Sequence, residues 1–348
     1  MEERRHVVVA GAGGNTGSHL LPHLGRMNGI ARLSLVDPDA YTAANLAAQD
    51  IESRQVGETK VLAQAARLHA INPSLEVATL VERIEDVPRG LLRGDLLVSC
   101  LDSRAARQRV NEIVYRLGVP WIDCGLLGSQ NLARVTACLP SADAPCLECP
   151  WGQEDYALIE QEYVCGFENV PARPTMASSA LGALAAALVA IEIARLFAGD
   201  LKASAVGCQI TLDAQHHSLV VTRNSRNSKC RFDHRTWRIE PWRCRLASQT
   251  VGDTLAALGS LRVEGHRFGF ALLCPGCGRR EESLRLNRPL AHCTTCGRRM
   301  AAPGFEARDR LDANLPRECL NLTLAQIGLR AEDVVSAGDW HYQLKEAA

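Results

Sequence analysis

Apolar residues come in short, separated blocks from the start of the chain. Val7-Val8-Val9-Ala10 has strand length, and Gly11-Ala12-Gly13-Gly14-Asn15-Thr16-Gly17-Ser18 follows at once. His19 to Met27 reads as a helix, and Leu33-Ser34-Leu35-Val36 is a second strand that ends on Asp37-Pro38-Asp39. The alternation continues. Thr59 to Ala70 has helical spacing and stops at Asn72-Pro73; Leu75 to Val81 is a strand. Asp95 to Leu101 is a buried strand with Asp102 at its end, and Ser103 to Leu117 is a helix with Ser103 as its cap. Strands begin at Val119 and Asn131, Met176 to Phe197 is a long apolar helix, and Cys208 to Asp213 pairs with Leu219 to Thr222. Strands alternating with helices predict an α/β fold, a doubly wound, mainly parallel sheet. Asp143 to Thr175 and its Trp151–Tyr163 stretch read as irregular. No repeat or low-complexity tract stands out.

A strand, a glycine turn, a helix and an acid at the next strand's end form a nucleotide site in outline. Glycines let backbone approach phosphates, and a helix N-terminus offers N–H groups and a positive dipole end. The spacing departs from Gly-x-Gly-x-x-Gly, whose last glycine would fall on Thr16; Gly17 comes one residue later. Gly11, Gly13 and Gly14 are candidates for the cofactor turn, and Asp37 and Asp39 for the ribose end. The same outline serves NAD, FAD and ATP proteins.

Length and composition narrow the field. The 348 residues suffice for about two domains. Apolar residues make up 47%, and 39 basic side chains balance 39 acidic ones. Nothing in that balance selects nucleic acid or an anionic membrane. Met176 to Ile191 is shorter than the roughly 18 residues of a membrane span and reads as a buried helix. Met-Glu-Glu-Arg-Arg-His leads straight into the first strand, so no signal peptide is expected. Fourteen cysteines without one predict a reducing, cytoplasmic setting, where Cys-x2-Cys reads as zinc rather than disulfide.

Asp-x-Asp at 37 to 39, Asn45-Leu46, Gln49 and Gly57-x2-Lys60 resemble the ThiF/MoeB-type, ubiquitin-activating-enzyme-like adenylyltransferases. Asp102, Arg107 and Asn111 reproduce that family's Asp-x4-Arg-x3-Asn. The resemblance runs from about residue 6 to 235. It implies that Asp37 holds ribose, that Asn45, Gln49 and Lys60 face the phosphates of ATP, and that Asp102 organises Mg2+. The implied reaction is attack of a carrier protein's C-terminal carboxylate on the α-phosphate. Lysine, magnesium and backbone N–H groups would offset the repulsion between those two anions. The family's Asn-Leu-x-Arg-Gln has an arginine where this chain has Ala48; Arg54, Arg4 or Arg5 are the candidate stand-ins. Cys165 falls where relatives carry a thioester-forming cysteine on a crossover loop, and a thiolate there would take the acyl group. The implied partners are a ubiquitin-like protein ending in glycine, a conjugating enzyme and a second copy in a homodimer. Sulfur-carrier activation and a non-catalytic nucleotide-binding scaffold are the alternatives.

Cys274-x2-Cys277 and Cys293-x2-Cys296 have zinc-ribbon spacing, four thiolates for one Zn2+. The resemblance also suggests that Cys146 and Cys149 gain two ligands after the last strands, where Cys230-x3-His234 stands. Cys100, Cys124, Cys138 and Cys208 lie in strand-like runs and read as core; His216-His217 reads as a turn. The expected domains are 1–245, for adenylation, and 246–348, for the ribbon.

Overall fold

The computed structural model describes residues 4–162, 177–288, 292–303 and 306–347. The chain forms two compact units. The first is Met1–Val87 with Leu92–Thr236, and the second is Pro88–Leu91 with Trp237–Ala348.

In the first unit β1 (Arg5–Ala10), α1 (Asn15–Leu24), β2 (Ile30–Val36), α2 (Lys60–Ile71) and β3 (Glu76–Leu80) are followed by β4 (Leu96–Ser99), α3 (Arg104–Leu117), β5 (Trp121–Leu127) and β6 (Leu132–Cys138). Then come α4 (Gln153–Glu162), α5 (Ser179–Phe197), β7 (Cys208–Asp213) and β8 (Ser218–Arg223). The strands form one sheet in the order β3-β2-β1-β4-β5-β6-β7-β8. From β3 to β5 neighbours run parallel; β6, β7 and β8 are added antiparallel. This is the doubly wound α/β fold that the alternation predicts.

The parallel strands read as unbroken apolar runs because both their faces are covered. Val7, Val8, Val9, Leu96, Leu97 and Val98 have no exposed surface. On one face they pack with Leu20, Leu24, Val61, Leu68, Ala185 and Val189 of α1, α2 and α5. By length and composition α5 could cross a membrane. Here Leu181, Ala185, Ala186, Val189 and Ile193 sink into that core. Its buried Glu192 accepts the Ala205 N–H at 2.6 Å and pairs with Arg195 at 2.7 Å. Two boundaries differ from expectation. The first helix begins at Asn15, directly on the glycines, and ends at Leu24. The stretch read as irregular contains α4, whose polar sequence carries little amphipathic signal.

The second unit contains β9 (Ile239–Cys244), α6 (Val251–Leu258), β10 (Leu261–Val263), β11 (Phe268–Leu273) and β12 (Arg280–Leu286). It continues with β13 (Ala307–Arg308), β14 (Arg310–Leu311), α7 (Arg317–Leu320), β15 (Val334–Ala337) and β16 (Trp340–Glu346). They make a five-stranded sheet, β14-β10-β15-β16-β9, and a three-stranded sheet, β12-β11-β13. Because β9 pairs with β16, from Ile239↔His341 to Cys244↔Glu346, the compact division falls at Trp237, ahead of Leu246. Pro88–Leu91 belongs with these strands: the Gly90 N–H donates to the Glu332 carbonyl at 2.8 Å, and the Arg89 guanidinium lies 5.6 Å over the Trp237 ring.

Candidate functional site: a glycine turn and two cysteine clusters

The turn after β1 sits at the carboxyl ends of the parallel strands. Gly11 has φ +73°, and a Cβ there would lie 2.5 Å from the Cys100 carbonyl oxygen just past β4. Gly17 is the helix glycine that the backbone requires, since a Cβ on it would come within 2.2 Å of the Gly11 carbonyl oxygen. The one-residue displacement from Gly-x-Gly-x-x-Gly is therefore absorbed inside the first turn of α1. Gly14 caps α1 in an extended conformation without a side-chain hydrogen bond, and the first turn carries no acid. Uncapped N–H groups and the dipole's positive end are features that suit an anion.

Three other segments close around it. Asp37, 4% exposed, accepts N–H bonds from Gly13 at 3.0 Å and Asp39 at 3.1 Å. Burial raises its pKa, against the Lys60 charge and those two donors. Lys60 opens α2 and is buried; its stem lies against Gly13, where a Cβ would sit 2.4 Å from the Lys60 Cβ. The Lys60 Nζ meets Asp39 Oδ2 at 3.0 Å. Asp102 lies exposed after β4. Gly11, Gly13, Asp37, Asp39 and Lys60 are thus brought together.

The remaining expected residues are placed differently. The Asn45 side chain accepts from the Thr42 N–H at 2.8 Å and caps the short 3-10 helix Ala43–Ala47. Gln49 is half-buried, and its Oε1 has no partner among the described residues. The Arg54 side chain is 78% exposed and pairs with Glu52 at 2.9 Å, not with the glycine turn. Arg5 stands at the start of β1, the opposite end from that turn, bonded to the Phe197 carbonyl at 3.2 Å. Cys165 lies outside the described residues. Among the described residues a cation that does reach the 45–50 loop is Arg67, whose Nη2 donates to Asp50 Oδ2 at 2.7 Å and Nη1 to the Asp50 carbonyl at 2.9 Å. Sequence reasoning missed it. The available signal was its position two helical turns after Lys60, on the same side of α2.

The Asp-x4-Arg-x3-Asn spacing divides into one exposed acid and two buried braces. The Arg107 Nε lies 3.0 Å from both carboxylate oxygens of fully buried Asp123. Asp123 also accepts from Ser99 at 2.7 Å, whose hydroxyl accepts the Trp121 indole N–H at 2.9 Å. Asn111 accepts the Leu147 N–H at 3.0 Å and donates to Glu148 at 3.3 Å, fixing the Cys146–Cys149 turn.

That turn belongs to the first cysteine cluster. The ligand atoms of Cys146, Cys149, Cys230 and His234 lie within 4.8 Å of one another. Cys146 Sγ is 3.7 Å from Cys230 Sγ, and Cys149 Sγ is 3.6 Å from His234 Nε2. His234 Nδ1 faces the Ala144 carbonyl at 3.0 Å, which leaves Nε2 free to ligate. Three thiols and one oriented imidazole fit a tetrahedral metal. The second cluster joins Cys274, Cys277, Cys293 and Cys296, with Cys274–Cys296 at 3.3 Å and Cys277–Cys293 at 3.6 Å. It reveals an overlooked duplication, Cys-x2-Cys-Gly-Arg-Arg at 274–280 and 293–299. Each copy makes the same turn: Gly278 and Gly297 donate to the Cys274 and Cys293 carbonyls at 3.0 and 2.8 Å. Arg279 bonds Thr294 at 2.7 Å on the opposite copy, and Arg298 lies over Gly276, whose Cβ position is 2.4 Å from the Arg298 Cδ. This four-thiol site fits a zinc ribbon. Cys124 and Cys138 are buried as expected, Cys100 and Cys208 only partly. His216 pairs with Asp213 at 2.8 Å in the β7–β8 turn.

A doubly wound sheet with a glycine turn ahead of its first helix, a buried lysine and strand-end acids defines a protein of the Rossmann-like class. The chain belongs to the ThiF family, whose pattern matches residues 3–235. It is 28% identical over 157 residues to Ubiquitin-like modifier-activating enzyme 5 of Dictyostelium discoideum, covering 41% of this chain and 40% of that one. It is 32% identical over 146 residues to Adenylyltransferase and sulfurtransferase MOCS3 of Mus musculus, covering 41% and 31%. The chain therefore spans less than half the length of these relatives. The crystal structure of E. coli MccB with ATP has a TM-score of 0.53 at 21% identity, with 65% of each chain covered, and shares the fold. Its relatives include ubiquitin-like modifier-activating enzymes and an adenylyltransferase and sulfurtransferase.

Proposed function

We propose that the chain uses ATP to adenylate the C-terminal glycine of a ubiquitin-like protein. The observation that carries this reading is the convergence of the uncapped α1 start, buried Lys60 and Asp37 on one glycine turn. Asp37 would take ribose hydroxyls, with Gly11, Gly13 and Gly14 against the phosphates. Lys60 would leave Asp39 to meet phosphate oxygen, and Asn45 and Gln49 would line the same side. The exposed Asp102 suits Mg2+, which keeps its waters and takes few carboxylates and would neutralise the triphosphate. The carrier's carboxylate oxygen attacks the α-phosphorus, the α–β bridging bond breaks, and pyrophosphate leaves with the electron pair. N–H groups and Lys60 offset the charge spreading over the phosphoryl oxygens.

A Cys165 thiolate would then attack the acyl carbon, release AMP and hold the carrier as a thioester for a conjugating enzyme. Zn2+ is the metal proposed for both cysteine clusters, in a structural role. A homodimer in the cytoplasm is the setting proposed. The similarity to MOCS3 favours a second reading, adenylation for sulfur transfer, in which the acyl-adenylate goes to a sulfur donor.

ATP–pyrophosphate exchange against small proteins ending in glycine tests the first step. Exchange should appear with one carrier and fall about 100-fold in Lys60→Ala and Asp102→Ala. Wild-type exchange with none of them, despite ATP binding, would favour a scaffold without catalysis. A reductant-sensitive carrier adduct lost in Cys165→Ala separates conjugation from sulfur transfer.

A further inference from the structure

One acid ties together the segments around the glycine turn. Asp50 follows Gln49 at the end of the 43–50 loop. Its carboxylate takes Arg67 Nη2 at 2.7 Å, its carbonyl takes Arg67 Nη1 at 2.9 Å, and its N–H donates to Ser18 Oγ at 2.9 Å. His19 Nδ1 stands 3.8 Å from the same carboxylate, and His19 also meets the Ala48 backbone. Ser18 and His19 sit on one edge of α1 with Asn15. The Asn15 Nδ2 donates to the Ala177 and Ser178 carbonyls at 3.0 and 3.1 Å, while His19 Nε2 is 3.0 Å from Ser179 Oγ. The start of α1, whose N–H groups are uncapped, is thus held on one side by α5. Along the same edge it is held by a loop that Arg67 fastens to α2. Residues three and four apart on a helix share a face, so Asn15, Ser18 and His19 act as one edge.

We propose that Arg67 and Asp50 are positioning residues for the nucleotide's phosphates. This rests on the ATP reading above. Arg67 neutralises Asp50 and fixes the 43–50 loop against α1, so Gln49 and the helix N–H groups are in register before the triphosphate arrives. The residues act through the loop and touch no phosphate. Such preorganisation lowers the ordering cost of binding, and it concerns the phosphate end alone. The short side chain at Ala48 leaves this cross-brace to supply the loop's order.

The test compares ATP with adenosine, by competition against a fluorescent ATP analogue, in the full chain and in Arg67→Met, Asp50→Ala and Asp50→Asn. The Arg67 side chain is 32% exposed, so Arg67→Met should leave folding intact. ATP affinity should fall about tenfold in Arg67→Met and Asp50→Ala, as for loss of a charge-assisted hydrogen bond, with adenosine affinity unchanged. Asp50→Asn keeps a side-chain oxygen that can accept from Arg67 Nη2 and should recover part of the loss. Hydrogen exchange across residues 43–57 without nucleotide should speed up in Arg67→Met. Equal losses for ATP and adenosine, or unaltered exchange, would overturn the proposal. Variants that bind ATP as well as the wild type would remove this role alone. A wild type that binds no ATP would remove the nucleotide reading and this role with it.

Discussion

The two cysteine clusters share a chemistry and differ in reach. The first joins a turn after β6 to a segment after β8, with Cys146 and Cys230 84 positions apart. In the second Cys274 and Cys296 are 22 positions apart, and two of its four ligands are exposed. The first is built into the unit's interior. Tyr115 donates to the Ala144 carbonyl at 3.1 Å, its ring meets His234 edge-on at 5.1 Å, and Asn111 holds the intervening turn. The second is held by its own duplicated halves. A metal in the first would close a long loop of the sheet domain; in the second it would shape a local knuckle pair. Placement, not ligand count, decides how much fold depends on each ion.

The largest expected effect is at the first cluster. Cys149→Ala should cost one zinc per chain and lower the first unit's melting temperature by on the order of 10 °C, corresponding to several kcal/mol. Metal analysis with calorimetry checks this, and an unchanged melt would make the two clusters equivalent. Cys296→Ala should also cost one zinc, yet leave the first unit's transition within about 2 °C. A shared fall in both transitions would break the contrast. Chelator should strip the second site first, by about tenfold in rate, because two of its thiols face solvent; release followed with a zinc dye reads this directly. Arg298→Ala should speed release from the second site a further few-fold and leave the first unchanged, since the Arg298 side chain lies over the Gly276 turn of the second site.

The smallest effect is acid sensitivity. Burial holds the pKa values of His6 and His19, both in the first unit, below the ordinary histidine value. Between the folded and unfolded values the unfolded chain binds more protons. Their contribution is therefore complete above about pH 6.5 and lost as pH falls through the folded values. The first unit's melt should drop over that window and drop less in His6→Gln/His19→Gln. A variant with an identical pH profile would assign the acid sensitivity to other groups.

Much of this contrast was legible in the residues. The strands from Val7 and Leu96 stood out because burial on both faces demands unbroken apolar runs. The cysteine spacings showed because a tetrahedron of thiolates constrains its ligands. Helix α4 did not show, since its polar residues carry no face. Nor did β13 and β14, two residues each, which exist through pairing with β11 and β10. Around the turn, Asp37 and Lys60 were readable from their places after β2 and at the start of α2. The Arg67–Asp50 brace was not: spacing puts Arg67 on the Lys60 side of α2, but only the packing of α2 on the loop joins it to Asp50.

The excursion of Pro88–Leu91 has a practical outcome. No single scissile point between Thr236 and Trp237 liberates an intact C-terminal piece. A fragment starting at Trp237 would forfeit Arg89 above its indole and the amide of Gly90, leaving the Glu332 carbonyl without that donor. Dissecting the protein therefore calls for grafting that tetrapeptide back, or for circular rearrangement, rather than truncation.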